Sequence, residues 1–454
     1  MLYSTPLPYV TSAAGYYAAI AELPWAMWLD SGHMARYDIL VAQPIATLTC
    51  RNGQTEINDH TGSHISAADP FDLLREQLGT PIPEIPDIPF CGGALGYWGY
   101  DLARRWTSLP EPTLKTANSL PDMAVGIFDW ALVIDHHEQV ARLVSRLQAP
   151  ESVGILPTIE ARLRGQPASP RNDFRITSPL RANFTFDEYN AAFAKIQDYL
   201  NAGDCYQVNL AQRFSADATG DALSAYLTLR ELTPSPYAAF LNLPDAQILS
   251  TSPERFLSVH GGKVETKPIK GTRQRGTDAQ HDEHLKQDLR NSTKDRAENL
   301  MIVDLLRNDL SKSCALGSVQ VEKLFEVESY THVHHLVSTI TGKLASGKDA
   351  ISLLRNCFPG GSITGAPKQR AMEIIAQLEP HRRDIYCGAI GYVGWDGNMD
   401  SNIAIRTLIH TAGKINFSVG GGIVADSNSQ EEYQETLDKA AGLLKTLAAY
   451  GGKI

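Results

Sequence analysis

The sequence predicts an α+β protein. Short β-like apolar runs come in clusters, helical apolar patterns stand between the clusters, and strict β-α-β alternation is missing. At 454 residues the chain has room for one large domain or two to three ordinary ones.

Taken in order, the first landmark is Pro81-Ile82-Pro83-Glu84-Ile85-Pro86-Asp87-Ile88-Pro89, whose prolines rule out helix and central strand and leave an extended connector. A polar stretch from Gly165 to Arg175 with two prolines divides an N-terminal region, 1–175, from a C-terminal region, 176–454. Beyond it, Thr185-Phe186-Asp187-Glu188 has capping-box form. Tyr189, Phe193, Ile196 and Leu200 follow at helical spacing, and Gly203 can end that helix. Strands are expected at Tyr206 to Leu210, Ala246 to Ser250, Ile385 to Val393, Ile403 to Ile409 and Ile415 to Val419. Helices are expected at Ser292 to Arg307, Pro367 to Leu378 and Gln430 to Ala448.

Composition removes several classes of function. A net charge of -10 argues against non-specific nucleic-acid binding and means that an anionic substrate must be met by local cations or a metal. The first basic residue is Arg36, so the start lacks the charged opening of a secretory leader. No apolar run reaches the roughly 18–20 residues of a membrane span. Six widely spaced cysteines without Cys-x-x-Cys fit reduced thiols, and the expected location is the cytoplasm.

Several motifs could carry chemistry. Asp295 and Glu298 lie three apart at the start of a helix, as do Glu432 and Glu435, so each pair shares one helix face. Ser429 can cap the second helix, with Glu432 as its capping-box partner. Two such pairs could hold Mg²⁺, although acidic residues also favour first helical turns for dipole reasons alone. Gly360 to Lys368 is a glycine-rich loop entering a helix, with Pro367 suited to the first helical position and backbone N–H groups available to an anion. Gly420-Gly421-Gly422 follows a strand and permits close approach of a ligand, or else forms a bulge. Arg406 interrupts an apolar strand and wants a carboxylate, of a ligand or of the protein. His332, His334 and His335 fit no usual zinc spacing. Glu254 at a strand end, and Lys270 in Pro268-Ile269-Lys270-Gly271-Thr272, would each be ordinary surface residues if they stood alone.

Taken in order, Ser252-Pro253-Glu254-Arg255, Pro268 to Thr272, Asp295-Arg296-Ala297-Glu298-Asn299, Gly361 to Lys368, Gly420-Gly421-Gly422-Ile423-Val424 and Glu432-Tyr433-Gln434-Glu435 resemble the chorismate-utilising enzyme family. The likeness is strong from about 180 to 450 and looser in Leu23-Pro24-Trp25-Ala26-Met27 and Gly92 to Tyr97.

The resemblance implies two antiparallel sheets packed as a sandwich with helices outside. It implies Glu298 and Glu435 as direct Mg²⁺ ligands with Asp295 and Glu432 behind them, and a metal-held ring carboxylate of chorismate. Tyr392, Arg406 and the Gly420, Gly421 and Gly422 amides would take the second carboxylate. Thr364, Gly365 and Ala366 would line the pocket, with His335 near the breaking bond and Glu254 as the acid for the C4 hydroxyl. Water-adding members carry a lysine base where this chain has Gln207, and members that aminate C2 to form anthranilate carry alanine where it has Lys270.

The implied reaction is therefore amination at C4 through a Lys270 intermediate, on the route to 4-aminobenzoate and folate. Its rivals are the anthranilate-forming reaction and a non-catalytic binding subunit. No Gly-x-Cys-x-Gly glutaminase motif occurs, so ammonia is expected from a separate glutamine amidotransferase subunit. Trp25 to Gly32 lies where regulated members bind tryptophan but departs from their Leu-Leu-Glu-Ser pattern.

Overall fold

The computed structural model describes residues 2–114, 120–165, 173–330, 333–411 and 413–453. His332 and most of the stretch between Gly165 and Arg175 lie outside the described residues. Among those described, 25 strands form two antiparallel sheets of 13 and 12 strands.

Period-two alternation along the strands sorts the apolar side chains into three layers. Between the sheets, Met27, Ile39, Leu241 and Ile248 of the larger meet Leu95, Tyr97 and Ile390 of the smaller. Alternate residues of the same strands, among them Trp28, Leu40, Phe240 and Leu249, point the other way. They pack under helices Ala14–Ile20, Leu223–Leu232 and Ser429–Ala449. The outer face of the smaller sheet, with Val125, Leu257 and Ile340, is covered by helices Pro70–Leu78, Thr293–Ser311 and Ala350–Cys357.

Strands from both parts of the chain share both sheets. Met27–Asp30 pairs with Tyr237–Leu243, Trp28 opposite Phe240, and Gly93–Trp98 pairs with Ala389–Gly394, Gly96 opposite Gly391.

Helix Phe186–Asn201 begins with the expected capping box: Thr185 accepts from the Glu188 amide and Glu188 accepts from the Thr185 amide. Other expectations change. The strand expected to end at Leu210 runs on as Gln207–Thr219, because its long partner Lys414–Ile423 pairs with it from Val208 to Asp217. Gly420, Gly421 and Gly422 belong to that partner strand, opposite Ala211, Leu210 and Asn209, and form neither a loop nor a bulge.

The strand expected from Ile385 starts only at Ala389. The Gly388 amide donates to the Ile385 carbonyl in a turn that puts Cys387 at φ +66°. The last helix is capped by Asn428, whose side chain accepts from the Gln430 and Glu431 amides, so Ser429 is already its first helical residue. Pro367 sits one place outside helix Lys368–Leu378 as its N-cap. All six cysteines are free, and no described helix is long and apolar enough to cross a membrane.

Candidate active site

Two links carry the chain from one sheet to the other, and they lie side by side. Strand Ala246–Ser252 belongs to the larger sheet and Arg255–His260 to the smaller. Met399–Ile403 belongs to the smaller and Thr407–Thr411 to the larger. The apolar run from Ile403 to Ile409 is thus two strands, and Arg406 stands on the link between them at φ +49°. Glu254 stands on the other link. The Ile403 amide donates to the Glu254 carbonyl at 3.0 Å, and the Thr251 amide to the Arg406 carbonyl at 3.1 Å. Hydrogen bonds between the links therefore fix the carboxyl and the guanidinium relative to each other.

Both residues open into a cavity of about 660 Å³ that also receives Lys270, Asp295, Glu298, His335, Glu432 and Glu435. Lys270 reaches it through an irregularity: strand Ile269–Gln274 pairs with Val333–Lys343, but the register shifts between Ile269 and Thr272. Gly271, inside this shift at φ +82°, has no room for a side chain, because a Cβ there would lie 2.8 Å from the Asp295 carboxyl carbon. Burial holds the Lys270 amine below its ordinary pKa, against the pull of Glu298 and Glu254.

Glu254 is 6% exposed, and its Oε1 accepts from the Ser362 hydroxyl at 2.7 Å. Burial pushes its pKa up to about 7, while Ser362 and Lys270 pull it down. Near neutrality this carboxyl can therefore hold a proton that an ordinary glutamate would have lost.

The two carboxylate pairs come from helix starts, as their spacing requires. Ser292 caps Thr293–Ser311 by accepting from the Asp295 amide at 3.2 Å. Asp295 is tied to Arg273 at 3.2 Å and Glu432 to the Ser427 hydroxyl at 2.6 Å. Glu298 has no hydrogen bond or ion pair among the described residues, and burial raises its pKa. Burial also acts upward on Glu435, but Lys439, 2.6 Å away, outweighs it and leaves the group below its ordinary value. Gly421 leaves space for both glutamates: a Cβ there would lie 2.9 Å from Glu432 Oε2 and 3.7 Å from Glu435 Oε1.

No three or more His, Cys, Asp or Glu side chains among the described residues converge as a ready-made metal cage. An oxygen-only set with Glu298 and Glu435 facing the cavity still fits Mg²⁺, which takes one or two carboxylates and completes its shell with water and substrate oxygens.

The guanidinium of Arg406 has no ion pair among the described residues and is available to a ligand carboxylate. Thr272 Oγ1 lies 2.9 Å from His335 Nδ1. Burial, followed by the nearby Arg406, lowers the His335 pKa to about 4, so the ring is neutral.

Three expectations need correcting. Tyr392 lines a separate cavity of about 490 Å³ between the sheets, with Tyr237 and Asp400, and its ring packs 5.1 Å from that of Phe90. In the active-site cavity the tyrosine is Tyr386. Thr364, Gly365 and Ala366 back the wall and do not line it. Thr364 Oγ1 donates to the Gly360 carbonyl at 3.0 Å, and Gly365 and Ala366 pair with Val208 and Gln207 as a short strand. Their neighbours Ser362 and Ile363 face the cavity instead. Of the three expected glycines, Gly420 and Gly422 line it.

The sequence reading missed Lys439, which also donates to the Gly420 carbonyl at 3.0 Å, and Lys294. Lys439 had a signal, since it lies four residues after Glu435 on one helix face. The separate cavity also receives Asp30, from the run expected near a tryptophan site, and Arg230 pairs with Asp30 at 2.7 Å.

A cavity with a carboxyl able to hold a proton near neutrality, a buried lysine, a guanidinium without an ion pair among the described residues and five further acidic groups defines an enzyme site for a small anion. The model of the family described as chorismate binding enzyme matches residues 25–445, and the chain belongs to that family. It is 49% identical over 453 residues to aminodeoxychorismate synthase component 1 of Salmonella typhimurium, covering 97% of each chain. The protein of that name from Escherichia coli is 48% identical over 443 residues, covering 96% of each. The crystal structure of anthranilate synthase component I from Streptococcus pneumoniae superposes with a TM-score of 0.79 at 34% identity, covering 90% of this chain and 92% of that one.

Proposed function

We propose that the chain aminates chorismate at C4, giving 4-amino-4-deoxychorismate; its Salmonella and Escherichia relatives bear the name aminodeoxychorismate synthase component 1. The observation that carries this reading is the placement of Lys270 in one cavity with Glu254 and Arg406.

Neutral Lys270 Nζ attacks C2. The ring double bonds shift, the C4–O bond breaks, and the Glu254 proton leaves with the hydroxyl as water. Ammonia then bonds to C4, the double bonds shift back, and the C2–Nζ bond breaks to restore the free amine. The surplus proton on the new amine returns to Glu254. Arg406 holds one substrate carboxylate. Glu298 and Glu435 would hold Mg²⁺, which when bound would fix and neutralise the other, while Asp295 and Glu432 stand behind them. Ammonia comes from a separate glutamine amidotransferase subunit, in keeping with the relatives' designation as component 1, and the expected location is cytoplasmic.

The test is the intact mass of the protein after incubation with chorismate and Mg²⁺ without ammonia. An adduct that Lys270→Ala lacks is the expected result. Fluorescent anthranilate formed from chorismate and ammonium without an added lyase would overturn the assignment in favour of C2 amination.

A further inference from the structure

Behind the cavity wall, the Arg383 side chain ties three segments of the chain together. Its Nε and Nη2 donate to the Glu379 carboxylate at 2.9 and 2.6 Å, Nη2 also to the Asn209 carbonyl at 2.9 Å, and Nη1 to the Ile363 carbonyl at 3.1 Å. Glu379 in turn accepts from the Ala211 amide at 2.9 Å. The guanidinium packs 4.9 Å from the centre of the Tyr100 ring and 5.7 Å from that of Tyr386. Both members of the ion pair are buried.

Arg383 does not line the cavity, and Glu379 answers its charge, so it is no ligand for the substrate. What it touches does line the cavity: Asn209, Ile363 and Tyr386. The Ile363 carbonyl is the contact that reaches the chemistry. Ser362, one residue earlier, donates to Glu254 Oε1 at 2.7 Å. Both residues belong to the single tight turn Gly361–Ile363, so a shift at the Ile363 carbonyl moves the serine. A planar fork of donors anchored on Glu379 fixes that carbonyl in direction as well as distance, and a lysine ammonium on its flexible stem lacks the fork.

We propose that Arg383 is a positioning residue of this site: by holding the Ile363 carbonyl from behind the wall, it keeps the Ser362 hydroxyl on Glu254. The inference rests on the reading of Glu254 as the acid given above. The other charged and titratable groups facing Glu254 are Lys270, Lys439 and the Cys387 thiol, and none of them hydrogen-bonds to the Arg383 side chain among the described residues.

Arg383→Met alone would strand the Glu379 carboxylate in the interior, so the variant is Glu379→Gln/Arg383→Met, which removes both charges and keeps a carbonyl oxygen for the Ala211 amide. Should it not fold, Arg383→Lys keeps the charge beside Glu379 without the fork and enters the same comparison. The full chain is assayed with Mg²⁺ and ammonium chloride. The alkaline limb of kcat/KM for chorismate moves to higher pH, as in Ser362→Ala, by about threefold or more in proton concentration. Adding Ser362→Ala to the variant brings no shift beyond that of Ser362→Ala alone. A limb that stays in place while kcat falls would make Arg383 a scaffold residue only, and would overturn the proposal. Shifts that add would overturn it by showing that the effect bypasses Ser362. The pH dependence of urea unfolding, each protein compared with its Glu254→Gln form, reads the same titration apart from the reaction. If Ser362→Ala and the Arg383 variant both move that titration and neither moves the limb, Glu254 is not the acid and the positioning role stands. If Ser362→Ala moves both and the Arg383 variant moves neither, the positioning role fails and the acid stands. If Ser362→Ala moves neither, both fail.

Discussion

Replacing Ser362 with alanine moves the pH at which the acid is lost upward. The Ser362 hydroxyl donates to Glu254 Oε1 at 2.7 Å, and both residues are buried. A donor to a carboxylate favours its charged form, so Ser362 holds the Glu254 pKa below the level that burial alone would set. A hydrogen bond to a charged group contributes about 1.5–3 kcal/mol, and one pKa unit corresponds to about 1.4 kcal/mol. Removing the hydroxyl therefore raises the Glu254 pKa by about one to two units from its present value of about 7. In the proposed reaction Glu254 carries its proton when the C4 hydroxyl leaves, so the alkaline fall in kcat/KM for chorismate starts about one to two units higher in the variant. The assay follows product formation through the neutral and alkaline range, with total ammonium adjusted to keep free ammonia constant. Glu254→Gln is the control: it cannot donate this proton, so it lacks the limb and loses about 10²–10⁴ in kcat. An alkaline limb that stays in place or moves to lower pH in Ser362→Ala refutes Glu254 as the acid.

Two further outcomes follow from the same geometry. Glu254 has a native pKa of about 7 against an ordinary 4.5, so the folded protein binds more protons than the unfolded one between those values, and this contribution to stability is lost as pH rises through about 7. Its size is on the order of 3 kcal/mol, and urea unfolding of Glu254→Gln should lack this part of the pH dependence; identical pH dependence in parent and variant would count against the raised pKa. Gly421→Ala puts a methyl 2.9 Å from Glu432 Oε2, which must move, and in van der Waals contact with Glu435 Oε1 at 3.7 Å, so the carboxylate behind Glu435 is displaced. The Mg²⁺ concentration for half-maximal activity should rise about tenfold, or about 1.4 kcal/mol, and an unchanged Mg²⁺ titration would remove these carboxylates from the metal site.

What could be read from the residues alone was what local periodicity and capping encode. The capping box of Phe186–Asn201 and the paired carboxylates at two helix starts depend on neighbours three and four residues apart, and they stand in the structure as expected. The run Ile403 to Ile409 misled because its apolar residues serve two different sheets, and only the long-range partners of each strand show the break at Arg406. Tyr392 and Tyr386 are six positions apart on one apolar stretch. Which of them meets the active-site cavity is decided by the turn at Ile385–Gly388, which ordinary strand propensity does not reveal. Of the groups that Arg383 bonds, only Glu379 is local in sequence; the carbonyls of Ile363 and Asn209 come to it through the fold.

The pairing of Met27–Asp30 with Tyr237–Leu243 has a consequence for how the protein is made. Trp28 leaves the ribosome 212 residues ahead of its ladder partner Phe240. At a synthesis rate of about 5–20 residues per second, the strand waits roughly 10 to 40 seconds for that neighbour. Until then the early strands of the larger sheet expose an open hydrogen-bonding edge and the apolar side chains of Met27 and Trp28, the kind of surface that other nascent chains and chaperones bind.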